Sequence, residues 1–442
     1  MENPSYPYDG VVIGAGLAGL YSAYLLSRSS QSVCLLEARS RVGGRVNTWR
    51  EAKGGQYAEL GPEFIDSNHS RLIRLAKQFN LKLCTREAFW GHSPQPGIQP
   101  EHRRAWRAFW RQIDEIANRI PKPVQPETLP ADLKPLDAQN LQEWLTALGI
   151  WHHAYPMLVR YARNMEATEP ERLSVLSVAA QEAFYGKGVE AGVYHLPEGT
   201  DQLPKALARA FVEHKGTLHL GAVVESVEQD EAGVRIHYRQ NGQLKTVSAR
   251  YAIVALPFPM INTIEWRPNL SAQRREALRL AGRGNVVRTL IQFRTRFWLT
   301  RRPKPLPHPS EIATLWEETD DQPGEAGILS CWTAGAIAEQ WADLNEQEHI
   351  ERCLQVLETL YPGCRGQVLS ARSHHWGCDP FSQHAYIYHR PGYLTEGLPI
   401  LRRPEGRLMF AGDYLSLFVG YMEGALESAE RAVNWVKTLV RS

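Results

Sequence analysis

The sequence lacks the features that would place it in several common classes of protein. Its six cysteines form no CxxC pair and no spacing typical of a metal site, which predicts free thiols in a reducing compartment. No apolar run reaches the roughly 18 residues that a membrane span needs, and no basic-then-apolar leader precedes the first strand pattern. The formal net charge of +2 gives no reason to expect nucleic acid or an anionic membrane as a partner. We therefore expect a cytoplasmic protein with no metal, no membrane anchor and no nucleic-acid partner.

The composition is otherwise that of a large globular protein. At 442 residues the chain exceeds one compact core, so two closely joined domains are expected. Hydrophobic residues make up 43% of the chain and charged residues 22%. Thirteen tryptophans and seventeen tyrosines are enough to build an aromatic pocket in addition to the core.

The N-terminal segment has the pattern of a dinucleotide-binding βαβ unit. The apolar run YDGVVI (8–13) precedes the glycine turn GAGLAG, a helical pattern and a second strand that ends at Glu37. In this pattern Gly14 allows a tight turn, Gly16 lets the backbone approach a pyrophosphate, and Gly19 permits close packing of helix on strand. Glu37 would accept hydrogen bonds from ribose hydroxyls. An acidic residue here disfavours the 2′-phosphate of NADP, but it does not distinguish NAD from FAD. A glycine-tightened turn without a ligand is the alternative.

Motifs at both ends of the chain extend this pattern. Soon after Glu37 come a glycine pair and a cation in EARSRVGGRVNTW, and then the turn AELGPEFID. Near the C-terminus stand GRLMFAGDY (406–414) and GYMEGALESAERAV (420–433). Together these motifs resemble the flavin-dependent amine oxidase family, which includes monoamine, polyamine and L-amino acid oxidases. The middle third of the chain matches the family only loosely.

The resemblance implies an α/β fold with two domains. One is a Rossmann-like FAD-binding domain, discontinuous and of the glutathione-reductase type, formed by residues 1–85, 191–259 and 373–442. The other is an α+β substrate-binding domain formed by residues 86–190, which are mainly helical, and 260–372.

The resemblance also assigns residues to an FAD site. They are Gly14, Gly16, Gly19, Glu37, Arg39, Gly43, Gly44, Arg45, Gly61, Pro62, Glu63, Phe64, Val224, Trp376, Gly412, Asp413, Gly420, Tyr421 and Met422. A helix that begins at Met422 would direct free N–H groups and its positive dipole end at the pyrimidine end of the flavin. Ala385 stands where mitochondrial monoamine oxidases carry an FAD-linked cysteine, so non-covalent FAD is expected.

Six aromatic or polar positions are assigned to the substrate side of the flavin. Tyr386 and Tyr421 match the paired aromatic residues between which the family holds the substrate, with its C–H bond towards flavin N5. Trp376 is assigned with them to catalysis, and Trp332 to the wall of the substrate site. Gln383 and His384 stand where the family usually has glycine, a departure that would narrow the site or give the substrate a polar contact.

Arg288 lies on a strand, GNVVRTLIQF, where most oxidases of the family carry a lysine that favours reaction with oxygen. Three roles are open for it: it supports oxygen reduction, it pairs with a substrate carboxylate, or it is a salt-bridged strand residue. The use of oxygen rather than another electron acceptor is therefore left open.

The turn GPEFIDS indicates the class of substrate. Amino acid oxidases of the family carry a carboxylate-binding arginine on this turn, and here there is none. Phe64 and Asp66 take part in the predicted substrate site, and Asp66 falls where polyamine oxidases place an acidic residue. This favours a primary amine or a diamine. A basic amino acid such as arginine or lysine, which would suit both Asp66 and Arg288, is the alternative.

The implied reaction is oxidative deamination. A hydride equivalent passes from the carbon beside the amine to flavin N5, and the resulting imine hydrolyses to a carbonyl compound and ammonia. The reduced flavin is then reoxidised by O2, which gives hydrogen peroxide, or by another electron acceptor. A non-catalytic FAD-binding scaffold is the alternative from another class. Carotenoid desaturases and porphyrinogen oxidases share the domain but need an apolar, membrane-facing entrance for which the sequence has no obvious segment. A homodimer is left open.

Overall fold

The computed structural model describes residues 6–85, 91–92, 99–185, 194–301 and 310–441. In this part of the chain the strands are β1 (Tyr8–Ile13), β2 (Val33–Leu36), β3 (Thr48–Trp49), β4 (Ala58–Glu59), β5 (Cys84–Thr85), β6 (Gly91–His92), β7 (Tyr194–His195), β8 (Thr217–His219), β9 (Val223–Gln229), β10 (Val234–Gln240), β11 (Gln243–Val254), β12 (Glu265–Arg267), β13 (Ala281–Gly284), β14 (Val286–Phe293), β15 (Thr314–Glu317), β16 (Gly327–Ala334), β17 (Val368–His375), β18 (Tyr386–His389) and β19 (Leu408–Phe410). The helices are α1 (Leu17–Ser27), α2 (Ser70–Gln78), α3 (Pro100–Ala117), α4 (Leu141–Ala147), α5 (Trp151–Tyr161), α6 (Val175–Tyr185), α7 (Gln202–Glu213), α8 (Phe258–Ile261), α9 (Ala272–Leu280), α10 (Ala336–Gln340), α11 (Glu346–Leu360), α12 (Leu398–Leu401) and α13 (Met422–Arg441).

The larger sheet is mixed, with the strand order β12-β9-β10-β11-β1-β2-β8 and with β19 beside the end of β11. Strand β1 is parallel to both β2 and β11, as a βαβ unit requires. Strands β10 and β11 form a hairpin whose two-residue turn, Asn241-Gly242, has positive φ at both positions, the geometry of a tight hairpin turn.

Both faces of this sheet are covered, which explains the nearly continuous apolar runs of β1 and β11. Val12, Leu35 and Ile253 face a core shared with α1, α7 and α13. Val11 and Ile13 face the opposite core, which they share with α3, α5 and α6. The stripe of α13 predicted to be apolar (Leu426, Ala429, Ala432, Val433 and Val436) is at most 1% exposed.

The second sheet is antiparallel, in the order β17-β14-β16-β15-β6. Val287 and Ile291 on β14 pack towards α11, where Leu354 and Leu357 are buried. Side chains alternate along a strand, so Arg288 points to the other face of the sheet, towards residues 61–63.

The strands of the large sheet come mostly from the three stretches predicted to form the FAD-binding domain. The exception is β12, which lies beyond residue 259 and still pairs with β9. A further link is β13, which pairs with β18 across the predicted boundary. Within the described residues, no helix is both long enough and apolar enough to cross a membrane.

Candidate functional site

A cavity of about 1050 Å³ extends from the β1–α1 turn to the space between the second sheet and helix α6. All the predicted cofactor residues line it except Gly19. The predicted substrate residues Phe64, Asp66 and Trp332 line it as well, as do Arg288 and Tyr386. The fold therefore brings together residues that are more than 400 positions apart in the chain.

The glycine turn forms one end of the cavity. Gly14 has φ +97°, and a Cβ at this position would lie 2.7 Å from the carbonyl oxygen of Ala255. A Cβ on Gly19 would lie 1.8 Å from the oxygen of Gly14, so Gly19 serves the packing of α1 on the sheet. A Cβ on Gly16 would meet no protein atom within 4 Å. Gly16 thus borders open space at the N-terminus of α1, where no side chain caps the helix.

Glu37 lies beside this turn and is 6% exposed. Its carboxylate accepts hydrogen bonds from the backbone N–H of Ala15 at 2.7 Å and of Arg39 at 2.8 Å. These bonds fix the carboxylate at the cavity wall and leave acceptor lone pairs for a ligand hydroxyl. Val224 at the start of β9 lines the cavity nearby.

The middle of the cavity is held by arginine–aspartate pairs. Arg45 binds Asp413, with Nη1 3.0 Å from Oδ2, and also donates to the carbonyl oxygen of Ala385 at 2.8 Å. Arg39 is paired with Asp379. Both arginines line the cavity with their charges already balanced by protein carboxylates.

The N-terminus of α13 forms the next part of the wall. Gly420 has φ +77°, and a Cβ there would lie 3.2 Å from the ring of Tyr386. Helix α13 begins at Met422, as predicted. Trp376 is 3% exposed and donates from its indole nitrogen to the carbonyl oxygen of Leu60 at 2.8 Å, which fixes its ring beside residues 61–63.

Tyr386 and Tyr421 lie on different aromatic walls of the cavity. The ring of Tyr386 stacks on Trp332, with centroids 6.4 Å apart and planes at 23°. The ring of Tyr421 packs edge-on against His69, with centroids 4.7 Å apart. Burial raises the pKa of both tyrosines, so both hydroxyls stay neutral. The two residues that the sequence pairs thus both line the aromatic end of the cavity.

Arg288 is held between two buried carboxylates. Its Nη2 lies 2.6 Å from Glu63 Oε2 and 2.5 Å from Glu318 Oε1. Nε donates to Ser330 Oγ at 3.1 Å, and the guanidinium lies 4.9 Å from the ring centre of Trp316. Burial acts to lower the pKa of Arg288, but Glu318 and Glu63 outweigh it and raise the pKa, so the charge is permanent. The structure thus shows Arg288 in salt bridges, and its roles in oxygen reduction or in binding a substrate carboxylate stay predictions.

Glu166 is a residue of the cavity wall that the sequence did not reveal. It ends a π-helical turn, Ala162–Glu166, that is followed by Ala167 in the left-handed conformation (φ 50°). Glu166 is 2% exposed, and its Oε2 has no hydrogen-bond partner in the described part of the chain. Burial raises its pKa to about 7. Its segment belongs to the loosely matching middle third, and no local motif marks it; π-turns of this kind often occur at functional sites.

Asp66 lies on the same side of the cavity and is 1% exposed. Its backbone N–H donates to His69 Nδ1 at 3.0 Å. Burial lowers the pKa of His69 to about 4, so this imidazole is neutral and adds no positive charge beside Asp66. Trp110, Tyr161 and Tyr185, also absent from the sequence prediction, complete this end.

Gln383 and His384 do not line the cavity as far as the described residues show. Gln383 has φ +56°, which accounts for the glycine usual at this position in the family. His384 is fully buried, with Nε2 3.3 Å from Arg45 Nη1, and burial followed by Arg45 lowers its pKa to about 3. Neither side chain therefore faces the cavity in the described structure, and their contact with a substrate stays a prediction.

A mixed sheet that contains a parallel βαβ unit with a glycine turn, joined to an aromatic-lined cavity beside an antiparallel sheet, is typical of a flavoprotein oxidoreductase. The family model for flavin containing amine oxidoreductases matches residues 17–436. The chain belongs to this family and is an oxidoreductase that acts on CH–NH2 groups with a flavin cofactor.

Three similar proteins illustrate the range of the family. The L-amino acid dehydrogenase of Synechocystis sp. (strain ATCC 27184 / PCC 6803 / Kazusa) is 25% identical over 98% of this chain and 95% of its own length. The flavin-containing amine oxidase A of Bos taurus is 26% identical over 97% of this chain and 85% of its own length. The structure of cyclohexylamine oxidase from Brevibacterium oxydans IH-35A superposes with a TM-score of 0.82 at 22% identity, covering 98% of this chain and 100% of that one.

Proposed function

We propose that the cavity binds FAD non-covalently. The open space at Gly16 and the N-terminus of α1 suit a pyrophosphate, and the fixed carboxylate of Glu37 suits a ribose. The N-terminus of α13 suits the anionic end of a flavin. Ala385, at the predicted attachment position, has no nucleophile. Bound there, FAD would accept the hydride equivalent from the carbon that carries the substrate amine.

The substrate in this proposal is a small primary amine or a diamine. The observation that carries it is the balance of charge at the aromatic end. Arg288 is shared between Glu63 and Glu318, whereas Glu166 is buried with an oxygen that lacks a partner in the described chain. A buried carboxylate is stabilised by a cation at hydrogen-bond distance, so an ammonium group is the complement of this wall.

The side chains of the cavity would bind, orient and shield the substrate. Tyr386, Trp332 and Tyr421 would hold its apolar part between ring faces, and Glu166 and Asp66 would hold ammonium groups. Release of one proton from the ammonium group leaves the neutral amine that hydride removal requires. Water then adds to the imine, giving a carbonyl compound and ammonia.

A basic L-amino acid is the second candidate, favoured by the similarity to an L-amino acid dehydrogenase. It would need a cation for its carboxylate. The three arginines that line the described cavity wall, Arg39, Arg45 and Arg288, are each paired with a protein carboxylate. This observation places the amine ahead of the amino acid.

The test is anaerobic bleaching of the bound flavin with a panel of monoamines, diamines, L-arginine and L-lysine. We expect amines to bleach the flavin fastest. Bleaching by the amino acids alone would overturn the choice of substrate, and no bleaching by any compound would favour a scaffold. Admitting air after bleaching and measuring hydrogen peroxide tests whether O2 is the acceptor.

A further inference from the structure

A second, small cavity of about 20 Å³ lies beside the large one. Its polar lining is Tyr57, Glu59, Glu63, His195, Thr200, Glu318, Asp321 and Gln322. Glu63 lines both cavities, so it forms part of the wall between them. A polar cavity of this size holds one water molecule, for which about 10–15 Å³ suffices.

The acidic and imidazole groups of this lining extend from Glu63, in the wall shared with the large cavity, to the partly exposed side chain of Asp321. At the inner end, Glu63 and Glu318 both bind Arg288. In the middle, the backbone N–H of Glu59 lies 3.4 Å from Glu318 Oε2. At the outer end, His195 Nε2 lies 2.7 Å from Asp321 Oδ2, and the Asp321 side chain is 29% exposed whereas the His195 side chain is 6% exposed.

His195 provides an independent sign that the small cavity is occupied. Its Nδ1 is buried and has no hydrogen-bond partner among the described residues. Buried polar atoms are nearly always paired with protein or with ordered water. A water in the small cavity would satisfy Nδ1 and would connect it to the carboxylates on the opposite wall.

We propose that Glu63, Glu59, the water of the small cavity, His195 and Asp321 carry protons between the large cavity and solvent. The inference rests on the proposed function, because the proton in question comes from the substrate. At neutral pH an amine binds as R–NH3⁺ and must become R–NH2 by releasing one H⁺ before its α-hydride can leave. The substrate itself fills the aromatic end, so a route through the wall that contains Glu63 lets this proton depart without passing it.

The electrostatics of these groups suit this role. Burial, and then the neighbouring Glu63, raise the pKa of Glu59 to about 7, although Thr200 and Thr48 donate hydrogen bonds to its carboxylate. The charged and titratable groups that face Glu59 from the surrounding elements are Glu63, Glu318, Arg288, Arg50, Asp201, Tyr57, His195 and Asp321. Glu59 can thus take up and release a proton close to neutral pH.

The first test uses His195→Gln and Asp321→Asn in the FAD-loaded enzyme. Stopped-flow reduction of the flavin by an amine is measured across pH, in H2O and in D2O. We expect reduction at least about tenfold slower than in the wild type, a solvent isotope effect that the wild type lacks, and partial rescue by added imidazole. His153→Gln, which alters an exposed side chain on α5, is the matched control and should behave as the wild type.

A purely structural role would move neither the isotope effect nor the imidazole rescue. Unchanged rate, pH profile and isotope effect in both variants would overturn the relay. If His195→Gln fails to fold, Asp321→Asn, which alters a partly exposed side chain, decides alone.

A second measurement is independent of turnover. At pH 6 the protonated Glu59 carboxyl gives an infrared band, identified by its absence in Glu59→Gln. After transfer to D2O we expect this band to shift at once in the wild type and at least about ten times more slowly in Asp321→Asn. Equal exchange rates in the wild type and Asp321→Asn would overturn the relay, whether or not an amine bleaches the flavin. If exchange is slower in Asp321→Asn but no amine bleaches the flavin, only the proposed substrate class is overturned.

Discussion

Replacing Glu166 by glutamine should make the ligand-free protein more stable at alkaline pH. The carboxylate is 2% exposed, and burial raises its pKa from the ordinary 4.5 to about 7. The folded protein therefore disfavours the charged form, while the unfolded chain ionises freely. Stability from this group is fully present below pH 4.5 and is lost as the pH rises through about 7.

The size of the effect follows from the two pKa values. One pKa unit corresponds to about 1.4 kcal/mol, so the full difference of about 2.5 units is worth about 3 kcal/mol. The penalty is about 1 kcal/mol at pH 5 and approaches about 3 kcal/mol at pH 8. Glutamine keeps the shape of the side chain and removes the charge, so it removes this penalty.

The assay is urea unfolding of the apoprotein at pH 5 and pH 8. The gain in free energy of unfolding for Glu166→Gln over the wild type should be about 2 kcal/mol larger at pH 8 than at pH 5. Glu213→Gln, which removes an exposed carboxylate on α7, should show no such difference. An equal effect of Glu166→Gln at both pH values would refute the argument that the site holds a carboxylate at the expense of stability. With amines as substrate the same variant should raise KM by at least about 30-fold, because a buried charge pair is lost.

Three further outcomes are expected. Gly16→Ala should change the stability of the apoprotein by no more than about 0.5 kcal/mol but abolish FAD binding, whereas Gly14→Ala should destabilise the fold by about 1–3 kcal/mol. Urea unfolding measures the stability of each variant, and flavin titration measures its FAD affinity. Retained FAD affinity in Gly16→Ala would contradict the pyrophosphate site. Tyr421→Ala should lower kcat about 100-fold with FAD retained, and Tyr421→Phe should preserve most of it; unchanged kinetics in the alanine variant would dismiss the aromatic cage. Acid precipitation should release all the flavin into the supernatant, since Ala385 offers no attachment point, and yellow colour in the precipitate would disprove non-covalent binding.

The fold was predictable where local patterns have a single reading. The glycine turn and the Asn241-Gly242 hairpin depend on residues with positive φ. Glu37 depends on strand length and on where its strand ends. All of these are local properties. The start of α13 at Met422 was predictable for the same reason. Gly424, in the motif GYMEGALESAERAV, has a role that the motif alone does not reveal. A Cβ there would lie 2.9 Å from the oxygen of Phe418, so protein packing alone accounts for this glycine, without any ligand.

Residues that act through distant partners were harder to predict. Glu166 carries no motif, and its importance comes from burial against α6 and from the π-turn that precedes it. His195 and Asp321 are 126 positions apart, and neither differs in sequence from an ordinary surface residue. Gln383 and His384 show that an unusual residue in a motif does not by itself identify a substrate contact. Gln383 has a positive φ, and His384 packs against Arg45, so neither side chain lines the described cavity.

Arg288 shows how the structure changes the experiment needed to choose between substrates. Arg288→Met is the simplest test for binding of a substrate carboxylate, but it would leave Glu63 and Glu318 buried without their cation, which costs about 3–5 kcal/mol. Its loss of activity would report folding. Arg288→Met combined with Glu318→Gln keeps the net charge of the cluster at −1, and Glu63 retains the indole N–H of Trp316 at 3.1 Å. We expect this double variant to fold and to oxidise amines. If it loses amine oxidation while folding normally, Arg288 contacts the substrate or the cofactor directly, and the charge argument for an amine must be abandoned.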